Sequence, residues 1–167
     1  MSNLSQDGPE AAVTNKSDRP QFLWAGGTIF DVVLDETQTG GSVALLDQRG
    51  VRGDTTPMHV HRDEAEIFYV LEGAITAWSG DDVLTLEAGG AIYLPPNQPH
   101  ALGVHTERAR LITITSPAGF ANFVRAAGTP IRGDVPAQWE FDLTSIMSAA
   151  PLHHIEIVGP PPALPTS

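Results

Sequence analysis

The 167 residues suit one domain, and 20 acidic against 9 basic side chains give a formal net charge of -11. A surface this negative repels phosphate backbones and anionic headgroups, and the basic residues are scattered, so neither nucleic acid nor a membrane is an expected partner. Without cysteine, without an apolar run near the roughly 20 residues that span a bilayer, and without a leading secretion signal, the expected protein is soluble and cytoplasmic and uses no thiol chemistry.

Residues 1–20 are polar with scattered Gly and Pro and are expected to be a loose arm. Residues 21–116 read as short β runs: TIFDVVL, SVALLDQ, PMHVH, EIFYVL, AITAWS, DVLTL, AIYL, HALGV and ARLITIT. They are separated by turn signals at TGG (39–41), RGD (52–54), EG (72–73), SGDD (79–82), AGG (88–90) and PPNQP (95–99). Many short strands with Gly/Pro turns predict an antiparallel sandwich or barrel rather than βαβ units.

Residues 117–167 form the C-terminal part. In SPAGFANFVRAAG, Ser116 can cap a helix, Pro117 suits its first turn, and Phe120, Phe123, Val124 and Ala127 share one face before Gly128. A second short helix is predicted in DLTSIMSAA, capped by Asp142, with Leu143, Ile146 and Met147 on its stripe. In the Pro-rich tail, the IEIV piece is expected to pack back on the domain. The stretch FLWAGGTIF would be an edge strand able to pair two subunits, so a homodimer is expected.

The chemistry concentrates in HVHRDEAE. Strand side chains alternate faces, so His59 and His61 point the same way with Val60 opposite. After a short polar loop, Glu66 opens the next strand, and an antiparallel return brings it beside the histidine pair. His100, behind the rigid PPNQP turn, is the best-placed fourth donor.

At this point the chain resembles the cupins. Gly53, His59, His61, Glu66 and Gly73 match the first cupin motif at each defining position, and Gly89, Pro95 and His100 match the second. Asn97 stands where the family usually has glycine, a mild departure because Asn tolerates a left-handed turn, and Val104 where it often has asparagine. The resemblance covers most of residues 22–116. It implies an all-β fold, a double-stranded β-helix (jelly-roll) barrel with short C-terminal helices. It also implies one divalent transition metal ion held by His59, His61, Glu66 and His100. Three imidazoles and a carboxylate suit Fe, Mn, Ni, Cu or Zn, and affinity order does not select one.

Each assignment has a plainer counterpart. An isolated HxH pair is more often two solvent-facing histidines, and it is the spacing to Glu66 and His100 that favours ligation. Asp63 and Glu64 read as a solvated loop, Asp81 and Asp82 as turn residues, His105 as exposed on the opposite face, and His153 and His154 as residues at a helix end. Phe68, Val70, Trp78 and Leu102 are the expected pocket walls, although Trp78, Tyr69 and Tyr93 are commonly core residues.

A mostly apolar pocket around one metal centre suits a small aromatic or enolisable substrate better than a sugar phosphate. SPAGFANFVRAAGTP resembles the segment after the barrel in quercetin dioxygenase-like cupins. The resemblance implies a dioxygenase-like oxidoreductase that uses dioxygen, with Glu66 as general base. The alternatives are a metal-dependent isomerase or polyketide cyclase, and a non-catalytic small-molecule-binding cupin.

Overall fold

The alternating segments fold into two antiparallel sheets, seen in a computed structural model that describes residues 10–132 and 143–165. In chain order the strands are β1 (Gln21–Leu23), β2 (Ile29–Leu34), β3 (Ala44–Val51), β4 (Met58–His61), β5 (Ala65–Glu72) and β6 (Ala74–Ser79). They continue with β7 (Asp82–Glu87), β8 (Ala91–Leu94), β9 (His100–Val104), β10 (Arg108–Ser116), β11 (Thr129–Ile131) and β12 (Ile155–Gly159). The first sheet runs β11-β1-β2-β3-β10-β5-β8 and the second β12-β4-β9-β6-β7. Together they make the jelly-roll barrel that the sequence implies.

Side-chain alternation sets the faces. Along β10, Ala109, Leu111, Thr113 and Thr115 are buried while their neighbours are not. β9 is buried at all five positions. Its outer face is covered as well as its inner one, because Leu164 of the tail and Trp78 close on Gly103. At the hairpin between β5 and β6, Gly73 adopts a φ of 75°, and a Cβ there would lie 2.2 Å from the Arg108 carbonyl oxygen. Only glycine fits that approach.

Three helices accompany the barrel: α1 (Glu36–Thr39), α2 (Phe120–Ala127) and α3 (Thr144–Ala149). The face of α2 formed by Phe120, Phe123, Val124 and Ala127 is buried against Trp24, Phe30 and α3. The Trp24 ring meets Phe30 and Phe123 edge-on, each at 5.0 Å between centroids. A second core, built on Phe68, Val70, Ile75, Leu94, Leu102 and Leu111, fills the rest of the barrel.

Several expectations are corrected. α2 starts at Phe120, behind Gly119 and without a side-chain cap of its own, rather than at a Ser116 cap. Met147 is 49% exposed while Ile146 and Ala149 are buried, so the packed stripe of α3 excludes it. Asp142 and residues 1–9 of the expected arm lie outside the described residues. The edge-strand role for FLWAGGTIF has no edge to use, since β1 is hydrogen-bonded to β2 on one side and β11 on the other. The IEIV segment does pack back. As β12 it pairs with β4, setting Ile157 opposite His59 and Ile155 opposite His61.

Candidate metal centre

β4 directs His59 and His61 to one face, with Val60 buried on the other. Across the β4–β9 pairing, His59 sits opposite His100. Glu66 arrives on β5 from the facing sheet. One donor atom from each of the four lies within 4.8 Å of the others. The Glu66 Oε2 atom is 3.2 Å from His100 Nε2 and 3.7 Å from His61 Nε2. His61, Glu66 and His100 are buried, and His59 is half-buried.

Each imidazole is anchored through Nδ1. His59 Nδ1 meets the Pro57 carbonyl oxygen at 2.8 Å, and His100 Nδ1 meets that of Gln98 at 2.8 Å. A carbonyl only accepts, so both rings carry a proton on Nδ1 and turn Nε2 toward the cluster. His61 Nδ1 lies 3.4 Å from Glu64 Oε2. Its Nε2 is buried with no hydrogen-bond partner. An orphaned buried nitrogen is costly by itself, and here it faces two further Nε2 atoms and a carboxylate. That arrangement fits a divalent cation.

The electrostatics agree. Burial pushes the His59 imidazole down to about 3, helped by His100 and His61, so it is a neutral donor. Burial alone would raise Glu66, but His61 and the contact with His100 outweigh it and hold the carboxyl below the usual range. For His61 burial acts downward, and Glu66 together with Glu64 more than reverses it. A proton on His61 and a divalent ion at the cluster would therefore compete.

The turn before β9 is built for this task. Asn97 takes a φ of 66°, its N–H donates to the His61 carbonyl oxygen (2.8 Å), and its side-chain amide donates to that of Arg62 (3.2 Å). The residue that departs from the family's glycine thus adopts the left-handed conformation and ties the turn to the end of β4. Val104 contributes its side chain to the second core.

Beside the centre opens a cavity of about 70 Å³ with its mouth open to solvent. His59, Glu66, Phe68 and Leu102 line it, together with Trp24, Phe30, Phe120, Phe123, Ile146 and Ile155. Val70 and Trp78 lie elsewhere. Val70 faces inward but is fully buried in the second core. Trp78 pairs with Ala101, out of phase with Leu102, and so packs on the outer face of β6 against Gly103.

Two residues escaped the sequence reading. Glu64, expected in a solvated loop, is buried: one carboxylate oxygen meets His61, and the other accepts the Phe120 N–H at 2.8 Å. Asp54, read as part of a turn, lines the cavity and takes a hydrogen bond from the Thr28 hydroxyl. The remaining histidines lie outside the cluster. His105 is half-buried beside Thr76 (3.5 Å), His153 packs on Phe123, and exposed His154 pairs with Asp63 (2.8 Å).

Barrel, motifs and four-donor cluster together resemble those of the cupins. The family model described as a cupin domain matches residues 51–115 of this chain. A quercetin 2,3-dioxygenase of Bacillus subtilis (strain 168) is 26% identical over 127 residues, which is 76% of this chain but 37% of that protein. The chain thus spans little more than a third of that relative. An RmlC-like cupin from Shewanella frigidimarina superposes with a TM-score of 0.57 at 20% identity, over 65% of this chain and 93% of that one. Oxalate decarboxylase from Bacillus subtilis gives a TM-score of 0.56 at 20% identity, over 69% and 32%. These likenesses concern the fold. Among the described residues no helix is long and apolar enough to cross a membrane.

Proposed function

We propose that the chain is a metal-dependent, dioxygenase-like oxidoreductase acting on a small aromatic or enolisable molecule. The observation that carries this reading is the juxtaposition of three Nδ1-anchored histidines and an anionic glutamate with a largely apolar cavity. The Nε2 atoms of His59, His61 and His100 and the Glu66 carboxylate would hold one ion of Fe, Mn, Ni, Cu or Zn. When bound, the ion supplies Lewis acidity and a template for substrate oxygen.

The protein's own groups do the rest. Glu66 is held in its charged form by His61 and His100, and it can accept the proton of an enol or phenol hydroxyl. Phe68, Leu102, Phe120 and Phe123 keep water from the carbon that meets dioxygen. The 26% identity to a quercetin dioxygenase supports the choice of flavonols as first substrates, and 1,3-diketones are tested beside them as simple enolisable compounds.

The test is dioxygen uptake by protein loaded in turn with each of the five metals, with these compounds offered. Uptake with product formation is expected for at least one pairing. No uptake with any pairing overturns the reading. Conversion under strict anaerobiosis moves the chain to the isomerase or cyclase class.

A further inference from the structure

The cavity has a second polar end. From it we infer that Asp54, with Thr28, is the anchor for a hydrogen-bond donor on the part of the substrate farthest from the metal centre. The inference rests on the cavity being the substrate site, and it specifies what that substrate carries.

The placement is built rather than incidental. The Asp54 carboxylate accepts the Thr28 hydroxyl and lies over the bare Cα of Gly26, where a Cβ would come 2.0 Å from Asp54 Oδ1. A Cβ on Gly50 would stand 3.6 Å from Asp54 Oδ2. The bare Cα of Gly26 therefore makes room for the carboxylate. On its far side Asp54 borders the surface groove under Pro161–Leu164, so it forms the wall between that groove and the cavity. Gln48 adds to the polar end. Its amide oxygen accepts the Thr113 hydroxyl at 2.9 Å, and the residue is part of the cavity lining.

The two ends are well separated. The Val104 N–H donates to the Asp54 carbonyl oxygen and the Thr56 N–H to that of Leu102, each at 2.9 Å, so the Asp54 segment runs beside the far half of β9. His100 lies four residues back along that strand, about 13 Å at the strand rise. Aromatic and aliphatic side chains line the rest of the cavity. A ligand that satisfies both ends is an elongated molecule of at least two linked rings, with an oxygen for the metal at one end and a hydroxyl at the other. Burial pushes Asp54 up to about 6, so near neutral pH the group is an anion short of solvent and a strong acceptor for that hydroxyl.

Flavone and 4′-hydroxyflavone differ only in the distal hydroxyl, and both lack the hydroxyl that would chelate a metal. Their dissociation constants are measured by calorimetry at pH 7.5 on the full chain loaded with Zn(II), which is redox-inert. The hydroxylated compound is expected to bind about tenfold tighter. Asp54→Ala abolishes that preference and leaves flavone affinity within about twofold, while Asp54→Asn, which keeps a carbonyl acceptor, retains part of it. Equal affinities in the unsubstituted protein, a preference that survives Asp54→Ala, a parallel loss of both compounds in the variants, or no binding of either compound overturns the inference. Failure to consume dioxygen with flavonols would end the dioxygenase reading without altering this comparison, which reports binding alone.

Discussion

Glu64 is the link between the metal centre and the helical cover: its carboxylate spans from His61 Nδ1 (3.4 Å) to the Phe120 N–H at the start of α2 (2.8 Å). One side chain thus orients the His61 ring and caps the helix whose first residue walls the cavity. Fixing the imidazole through its other nitrogen is how proteins set tautomer and ligand direction. Glu64→Ala should weaken metal binding about 10- to 100-fold, while Glu64→Gln, which keeps an oxygen for Phe120, should lose less. Competition titration against a chromophoric chelator reads both variants. Unchanged affinity in Glu64→Ala would remove Glu64 from the site's machinery.

Bound metal should also stabilise the fold. A ligand that binds only the folded state adds about 2.7 kcal/mol at one hundred times its dissociation constant. Thermal unfolding with Zn(II) or Mn(II), and again after chelation, should therefore show a higher Tm for the loaded protein. His61→Ala should abolish the difference, because it deletes the nitrogen that is otherwise buried without a partner. A metal-dependent Tm that persists in His61→Ala, His100→Ala and Glu66→Gln alike would place the ion elsewhere.

The legible parts of the fold and site were those governed by local rules. Short β-like runs broken by Gly/Pro turn signals mark β2 through β10, and HxH followed by Glu66 is local because a tight β4–β5 return carries it. His100 was legible through the prolines before it. Glu64 was not, since adjacent loop charges usually face water and its burial depends on α2, 56 residues further on. Trp78 misled because it lies three residues from inward-facing Ile75, an odd offset that puts it on the other face. The aromatic wall from Trp24 and Phe120, and the Asp54 niche over Gly26, arise from contacts between distant segments that no single stretch displays.

Asp54 should leave a pH signature in stability. Its carboxyl is raised from 3.8 to about 6 by burial, so the folded state binds the proton more tightly than the unfolded chain does. Its contribution to stability is therefore full below about pH 4 and is lost as pH rises through about 6. Asp54→Asn, which cannot ionise, should melt higher than the unsubstituted protein at pH 7.5, and the gap should close by pH 4. Differential scanning calorimetry at the two pH values measures it. An equal gap at both would show that the carboxyl is not desolvated.

The tail is a packed element where it crosses the barrel, and Gly103 is the position that reports on it. A Cβ there would stand 2.8 Å from Leu164 Cδ2, 3.0 Å from Thr55 Oγ1 and 3.1 Å from the Trp78 ring. Within a strand, alanine is no worse than glycine for the backbone, so any cost of Gly103→Ala is steric. Overpacking of this kind costs about 1–3 kcal/mol. Leu164 is a side-chain tip that can be shortened, whereas Trp78 is buried and Thr55 is bridged to Gly103. Leu164→Ala should therefore recover part of the loss, giving a coupling energy of at least about 0.5 kcal/mol in a double-mutant cycle read by urea unfolding. Strict additivity of the two substitutions would mean that Leu164 does not rest on Gly103 in solution.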